Sequence, residues 1–142
     1  MNLLDENIPE HQRQLLRGWH VRVRQIGADV GHKGIADDAI IVLLHQLSRP
    51  TFFTRDDDFY QKALCHPSYC LVHAAVGQYE VASFVRRFLR HPRFGAYIQR
   101  RGAVVRVGHD RLHVWRLNAA AEEDISWPDS AVYGGDAPHK SR

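Results

Sequence analysis

The chain has 142 residues, of which 44% are hydrophobic and 25% charged, and these values are typical of one globular domain. No apolar run approaches the roughly 20 residues of a membrane-spanning helix, and the N-terminus lacks the basic and apolar regions of a secretory signal. We therefore expect a cytoplasmic protein with no membrane partner, and the two cysteines give no disulfide framework.

The net charge of +3 hides an uneven distribution of charged side chains along the chain. Residues 1–80 carry 8 basic and 10 acidic side chains, residues 81–116 carry 9 arginines and one acid, and residues 117–142 carry 2 basic and 5 acidic side chains. An acidic first half followed by an arginine-rich stretch suits a protein that binds a metal ion beside a polyanion. Ordinary surface arginines explain the same count equally well.

The first half of the chain alternates short apolar runs with helical patterns. Asn7 is a candidate cap for the first helix, which Pro9 can open and Gly18 can end. The predicted elements are strands over residues 2–5, 20–25 and 51–54, and helices over residues 9–17, 38–47 and 59–64.

The second half predicts one more strand, one amphipathic helix and a β-hairpin. The elements are a strand over 69–73, a helix over 78–90, and hairpin strands over 103–107 and 112–116. Residues 1–117 would form the folded domain. Residues 118–142 are acidic and rich in small residues, and we expect a flexible tail in which one turn around Trp127 could dock.

Strands that alternate with helices predict an α/β fold with a mainly parallel sheet covered on both faces. Ligands of such sheets bind beyond the C-terminal ends of the strands. Asp5 closes the first predicted strand and Asp56 follows the third. If these two strands are neighbours, they lie roughly 4.8 Å apart, and their acids converge at the edge where a ligand is expected.

Three acidic clusters fall at boundaries between predicted elements: Asp5-Glu6, Asp37-Asp38 and Asp56-Asp57-Asp58. Mg²⁺ and Mn²⁺ prefer carboxylate and water oxygens, and nucleases use them to neutralise a phosphate and activate water. Each acid also has a simpler interpretation. Asp37 or Asp38 can cap the following helix, Asp56 can form a turn, and Asp5 can be an exposed strand-end acid.

The order and spacing of three motifs resemble a bacterial PIN-like family. The motifs are LLDENIP at residues 3–9, DDAI at 37–40 and TRDDDF at 54–59, which match the LDEN, helix-start and TRDxDF patterns of that family. The similarity covers residues 2 to about 75 and extends more loosely to 116. Asp57 stands at the variable position of TRDxDF, which is often basic in the family, so its negative charge is a departure.

The resemblance implies a three-layer α/β/α PIN-like fold and metal-dependent cleavage of single-stranded RNA. It further implies a toxin component of a toxin–antitoxin pair, with a protein antitoxin as partner and a possible homodimer. The implied cofactor is Mg²⁺ or Mn²⁺. By motif, the catalytic and metal-binding residues are Asp5, Asp37, Asp56 and Asp58, with Glu6 and Asp38 as second choices for the metal.

Basic side chains are candidates for binding RNA. Arg55 can contact a phosphate or form a structural ion pair, and Arg86, Arg87 and Arg90 lie on one side of a predicted helix. Arg93, Arg100 and Arg101 extend this set, with Phe94 and Tyr97 as candidate stacking residues. A solvated helix face and a surface for an acidic antitoxin remain alternatives.

Three rival interpretations remain. Cys65, His66, Cys70 and His73 could bind zinc, but their spacing is not that of a standard finger. A receiver-like phosphorylation switch also places acids after its first and third strands, but it needs a lysine late in the sheet, and the only lysines are Lys33, Lys62 and Lys140. An inactive PIN-like binding module is the third rival.

Overall fold

The structure, a computed structural model, describes residues 1–128 and has an α/β fold built on one mixed, mostly parallel sheet. The predicted α/β class with a mainly parallel sheet is confirmed. The strands are β1 (Asn2–Leu4), β2 (Arg24–Gln25), β3 (Thr51–Thr54), β4 (Cys70–Ala74), β5 (Val104–Val107), β6 (Arg111–Trp115) and β7 (Glu123–Ser126). The helices are α1 (Glu10–Gly18), α2 (Asp37–Gln46), α3 (Val81–Leu89) and α4 (Tyr97–Arg100).

The seven strands are ordered β2-β1-β3-β4-β5-β6-β7. The first five are parallel, and β6 and β7 continue the sheet in antiparallel pairing, so the predicted hairpin of β5 and β6 is present. The chain reverses its direction of travel across the sheet between β1 and β3. In open parallel sheets this reversal leaves a crevice at the C-terminal strand ends, where ligands bind.

Alternate strand residues separate the core into two clusters, one on each face of the sheet. Leu4 and Phe53 pack with the apolar sides of α1 and α3, whereas Leu3 and Phe52 pack with α2. Both faces are apolar because parallel strands in such sheets are covered on both sides. No helix in residues 1–128 has the length and apolar character needed to cross a membrane.

Three local predictions were wrong. Asn7 does not cap α1, whose first flanking residue is Pro9 without a side-chain cap. The strand predicted over 20–25 is only Arg24–Gln25, because His20 adopts a left-handed φ of 65° on leaving α1 and delays the pairing with β1. The helix predicted over 59–64 is two 3₁₀ turns, Asp57–Phe59 and Lys62–Leu64.

The predicted boundary at residue 117 was also wrong, because the sheet continues past it. β7 pairs with β6, and Ile125 is buried in the cluster beneath α3. Trp127 packs beside Phe84 and donates its indole N–H to the Gly108 carbonyl at 2.8 Å. The rest of the predicted tail, residues 129–142, lies outside the described residues.

A buried glutamine joins α1 to α3. Gln12 is 1% exposed, and its side-chain oxygen accepts a hydrogen bond from the Ala82 backbone N–H at 2.9 Å. Ala82 lies in the first turn of α3, where backbone N–H groups have no partner within the helix. The side chain of Glu80, the residue before α3, does not cap this turn, so Gln12 supplies the acceptor across the interface between the two helices.

Replacing Gln12 with Met is expected to lower the free energy of unfolding by about 1–3 kcal/mol, because the buried Ala82 N–H loses its acceptor. Urea titration followed by circular dichroism measures this change. Gln14→Met is the matched control on the same helix, since Gln14 is exposed and its side chain donates a hydrogen bond to Glu10 of the same helix. Equal stability of the two variants would contradict the capping role of Gln12.

Candidate metal centre

The C-terminal ends of β1 and β3 are joined by the hydroxyl of Thr54. The Asp5 backbone N–H donates to the Phe53 carbonyl at 2.9 Å, which continues the pairing of the two strands. The Thr54 hydroxyl donates to Asp5 Oδ2 at 2.7 Å and accepts from the Asp56 backbone N–H at 3.0 Å. Because Thr54 is fully buried, this single hydroxyl fixes the position of both acid-bearing segments.

The turn after β3 brings Asp58 beside Asp56. Asp56 Oδ1 accepts the backbone N–H of Asp58 at 2.9 Å and so caps the 3₁₀ turn Asp57–Phe59. Phe59 is 2% exposed and packs edge-to-face on Phe52 of β3 at a centroid distance of 5.3 Å. The buried ring therefore anchors a turn whose acidic residues stay near solvent.

Asp37, Asp56 and Asp58 form an acidic triad at this edge. Each offers one carboxylate oxygen, and these atoms lie within 4.8 Å of one another. Asp37 belongs to the first turn of α2, whereas Asp56 and Asp58 follow β3, so the crossover from α2 to β3 brings them together. Within residues 1–128 this is the one group of three or more side chains arranged to hold a metal ion.

Mutual repulsion changes the acidity of the cluster. The pKa of Asp37 is raised, first by desolvation and then by the negative charges of Asp56, Asp58 and Asp5. Burial also raises the pKa of Asp5, although hydrogen bonds from Thr54 and the Glu6 N–H act in the opposite direction. Negative charge is therefore disfavoured here, and a bound cation would relieve the repulsion.

The six acids selected from the sequence occupy three kinds of position. Asp37, Asp56 and Asp58 form the acidic triad, and Asp5 borders it, close enough to raise the pKa of Asp37 but outside the group that meets the distance limit. Glu6 instead accepts the Gly34 N–H at 2.8 Å, and Asp38 accepts the Ala39 N–H at 2.8 Å. These two second-choice ligands are not in the triad.

The structure does not bring the selected arginines to the acidic triad. Arg55 Nε donates to the Val76 carbonyl at 3.0 Å, on the face of the sheet that α3 covers. Arg86 lies over the Trp19 ring at 3.8 Å, and Arg87 lies over the Trp127 ring at 4.3 Å. Arg90 directly follows α3, which packs on the face opposite α2, so the helix that carries Arg86 and Arg87 lies across the sheet from the helix that carries Asp37.

Two further RNA candidates are buried and have structural contacts. Arg100 donates to Thr51 Oγ1 at 2.8 Å and to the Phe94 carbonyl at 2.8 Å, and it is 7% exposed. Phe94 is fully buried and stacks on Phe88 at 5.1 Å. Because neither side chain is accessible, their predicted roles in guiding and stacking RNA are wrong.

The candidate zinc residues do not converge. Cys70 is fully buried beneath α3, where burial raises its thiol pKa to about 12. Cys65 packs on the opposite face, and its thiol contacts the Trp115 carbonyl at 3.4 Å. The sheet therefore separates the two thiols.

Thr54 was missed as a functional candidate, although it stands first in the TRDDDF stretch. A β-branched side chain is favoured in a buried strand, so packing alone explains a threonine at this position and gives its hydroxyl no role. A polar residue in the last position of an otherwise apolar strand, directly before an acid, was the available signal.

We compared the chain with family models, curated proteins and solved structures, and none of the three comparisons found a match.

Proposed function

We propose that the protein is a metal-dependent nuclease that hydrolyses phosphodiester bonds of RNA at the acidic triad. The observation that carries the proposal is the close approach of one oxygen each from Asp37, Asp56 and Asp58, at the edge formed by the C-terminal ends of the parallel strands. Three carboxylates drawn from two segments cost free energy through repulsion, and a divalent cation offsets that cost.

The chemistry of the acidic triad fits Mg²⁺ or Mn²⁺. All three donors are carboxylate oxygens, which these hard cations prefer, and no thiol or imidazole belongs to the group. Asp37 and Asp58 are exposed, so a phosphate and several water molecules have room beside the cation. Octahedral Mg²⁺ commonly keeps part of its water shell in this way.

The four acids have two proposed roles. Asp37, Asp56 and Asp58 hold the cation, which when bound neutralises the phosphate and increases the acidity of nearby water. Asp5 borders the triad with a raised pKa, and it accepts the proton of the attacking water. Thr54 orients Asp5 through the hydrogen bond to Oδ2 and the Glu6 N–H donates to Oδ1, which leaves one lone pair on each oxygen available.

The resemblance to the PIN-like family extends this proposal to a three-layer PIN-like fold and to the toxin component of a toxin–antitoxin pair. A small antitoxin-like reading frame beside this one would support the toxin role. The inactive binding module remains the alternative within the same family, and it requires that the acidic triad fails to support cleavage.

A receiver-like switch is the second candidate function, because the parallel strand order 2-1-3-4-5 is also that of receiver domains. Such a switch needs a lysine near the phosphorylated aspartate. Lys62 lies over the Trp115 ring at 5.1 Å, and Lys33 packs beside Gly27. Phosphorylation of Asp56 by acetyl phosphate would favour the switch over the nuclease.

Asp56→Asn is expected to weaken Mn²⁺ binding by at least about 100-fold and to abolish cleavage of a generic single-stranded RNA, because a charged ligand of the cation is lost. Calorimetry and a gel assay measure the two effects. Asp110→Asn is the matched control, since Asp110 is an exposed acid in the turn between β5 and β6. Wild-type affinity and activity in Asp56→Asn would remove the triad from the mechanism.

Thr54→Val keeps the shape of the side chain but removes the hydroxyl that links Asp5 to Asp56. We expect about tenfold weaker Mn²⁺ binding, since loss of a group that orients metal ligands costs that much or more. Thr54→Ser retains the hydroxyl and should bind Mn²⁺ as the wild type does. If Val and Ser variants bound the ion alike, the hydroxyl would have no positioning role.

Mn²⁺ affinity is expected to fall on acidification at a higher pH than for aspartates of ordinary pKa. The pKa values of Asp37 and Asp5 are raised, so protons compete with the ion sooner as the pH decreases. Calorimetric titrations between pH 7 and pH 4 measure the midpoint. Asp38→Asn removes one of the charges that raise the pKa of Asp37, so its midpoint should move to lower pH. An unchanged midpoint would argue against that coupling.

A further inference from the structure

A row of polar residues crosses the sheet from the acidic triad toward its antiparallel edge. Thr54 pairs with His73, His73 with Arg106, Arg106 with His113, and His113 with Asp124. Asp5 lies on the other side of Thr54 and accepts its hydroxyl. These side chains point to the face that α2 covers, because the residues two positions before them in β1, β3, β4 and β5 all belong to the cluster beneath α2.

The side chains of the row nearest the acidic triad are buried, and those on β5 and β6 reach solvent. Phe59, Tyr60 and Leu64, from the segment after β3, pack on this face, and His73 is 8% exposed. Arg106 and His113 are half-buried, so a ligand can reach them. α2 does not extend over this part of the sheet, since its buried residues Ile40 and Leu44 pack with the strands around β1 and β3.

Arg106 is the cation in this row that lacks an acidic partner. Its guanidinium lies over the Tyr60 ring, 4.2 Å from the ring centre, and within residues 1–128 no carboxylate lies at ion-pair distance from it. Two other arginines near the same edge of the sheet do have acidic partners. Arg111 pairs with Asp124, and Arg116 pairs with Glu123. A phosphate would give Arg106 the charged hydrogen bonds that the described part of the chain does not supply.

His73 separates Arg106 from the acids without adding positive charge. Burial, and after it the nearby Arg106, lowers the pKa of His73, against the opposite effects of Asp57 and Asp56, so a positive charge on this imidazole is disfavoured. Its buried Nδ1 has no hydrogen-bond partner among the described residues. The positive charge nearest the acids along the row is therefore that of Arg106.

The spacing along the row suits a nucleic-acid strand. β3 and β5 are separated by β4, so Thr54 and Arg106 are about 10 Å apart across the sheet. That span corresponds to about three nucleotides of a stacked strand, at roughly 3.4 Å each, and to fewer of an extended one. A phosphate at Arg106 and one at the acidic triad can thus belong to the same strand.

Aromatic rings on the same face favour a nucleic acid over an acidic protein. Tyr60 and Trp115 are half-buried and pack on this side of the sheet, each with a cation over its ring. Single-stranded nucleic acids bind surfaces that combine basic groups for the phosphates with flat rings for the bases. An acidic peptide would use the charges but gain little from the rings.

We propose that Arg106, with His113 and Tyr60 beside it, binds a phosphate of the same RNA strand whose phosphodiester is held at the acidic triad. The substrate is then a single strand of several nucleotides that lies across β4, β5 and β6. The inference deepens the proposed nuclease function and rests on it for the location of the second phosphate.

The test measures RNA binding without cleavage, by fluorescence anisotropy of a labelled eight-nucleotide RNA in EDTA with the full chain. Arg106→Gln should bind about tenfold more weakly, since one charged contact is lost. The plot of log affinity against log salt concentration has a negative slope. Its magnitude should be smaller by about 0.7, the value for one phosphate contact of a single strand. A merely structural role of Arg106 would not change that slope.

Three further variants complete the test. Arg22→Gln removes an exposed charge just before β2, the strand at the edge of the sheet opposite β7, and should leave both affinity and slope unchanged. Arg106→Lys retains the charge and should recover most of the affinity. His113→Gln changes the side chain paired with Arg106 across β5 and β6, and it should also weaken binding, because the proposed phosphate lies beside both side chains. Full wild-type affinity and slope in Arg106→Gln would overturn the inference.

Cleavage assays separate this inference from the function on which it rests. With Mn²⁺, Arg106→Gln should raise KM for the RNA about tenfold and leave hydrolysis of bis(p-nitrophenyl) phosphate unchanged, because that small diester cannot reach Arg106. If the wild type neither binds Mn²⁺ nor cleaves RNA, the nuclease proposal fails, while the anisotropy results still decide the role of Arg106. Equally tight, Arg106-dependent binding of polyglutamate would overturn the inference in favour of an acidic protein partner.

Discussion

The parallel pairing of β1 with β3 is the constraint on which the candidate site depends. It places Asp5 and Asp56 at one edge of the sheet, and the buried Thr54 hydroxyl bonds to both segments there. Without this pairing, repulsion between the negative carboxylates would favour their separation. The apolar packing of Phe52, Phe53 and Phe59 on the two faces of β3 opposes that separation, so the core stabilises an arrangement that the acids alone disfavour.

The two faces of the sheet have different roles. The face beneath α1 and α3 is a continuous apolar core, tied together by contacts such as Gln12 with Ala82 and extended by Ile125 and Trp127. The face beneath α2 is apolar near β1 and becomes polar toward β6, where Arg106 and His113 reach solvent. The chemistry that we propose therefore lies on the face that the helices cover less completely.

Arginines illustrate how position in the fold decides the role of a charge. Arg100 is buried and holds β3 to the segment before β5, Arg86 lies over Trp19, and Arg93 pairs with Glu123. Each is engaged by neighbours from the same chain. Arg106, which occupies an ordinary strand position in the sequence, is the one that strand register places in the same cross-strand row as Thr54, with His73 between them.

The sequence determined the α/β class, most helices and strands, and the three acids of the triad, because hydrophobic periodicity and acids at element ends are local signals. Tertiary structure decided the rest. Whether Asp37 meets Asp56 depends on the crossover of α2, and whether β7 extends the sheet depends on its pairing with β6. Glu6 and Asp38 accept backbone N–H groups instead of joining the triad, and Arg106 gains its place through strand register, which the linear sequence does not encode locally.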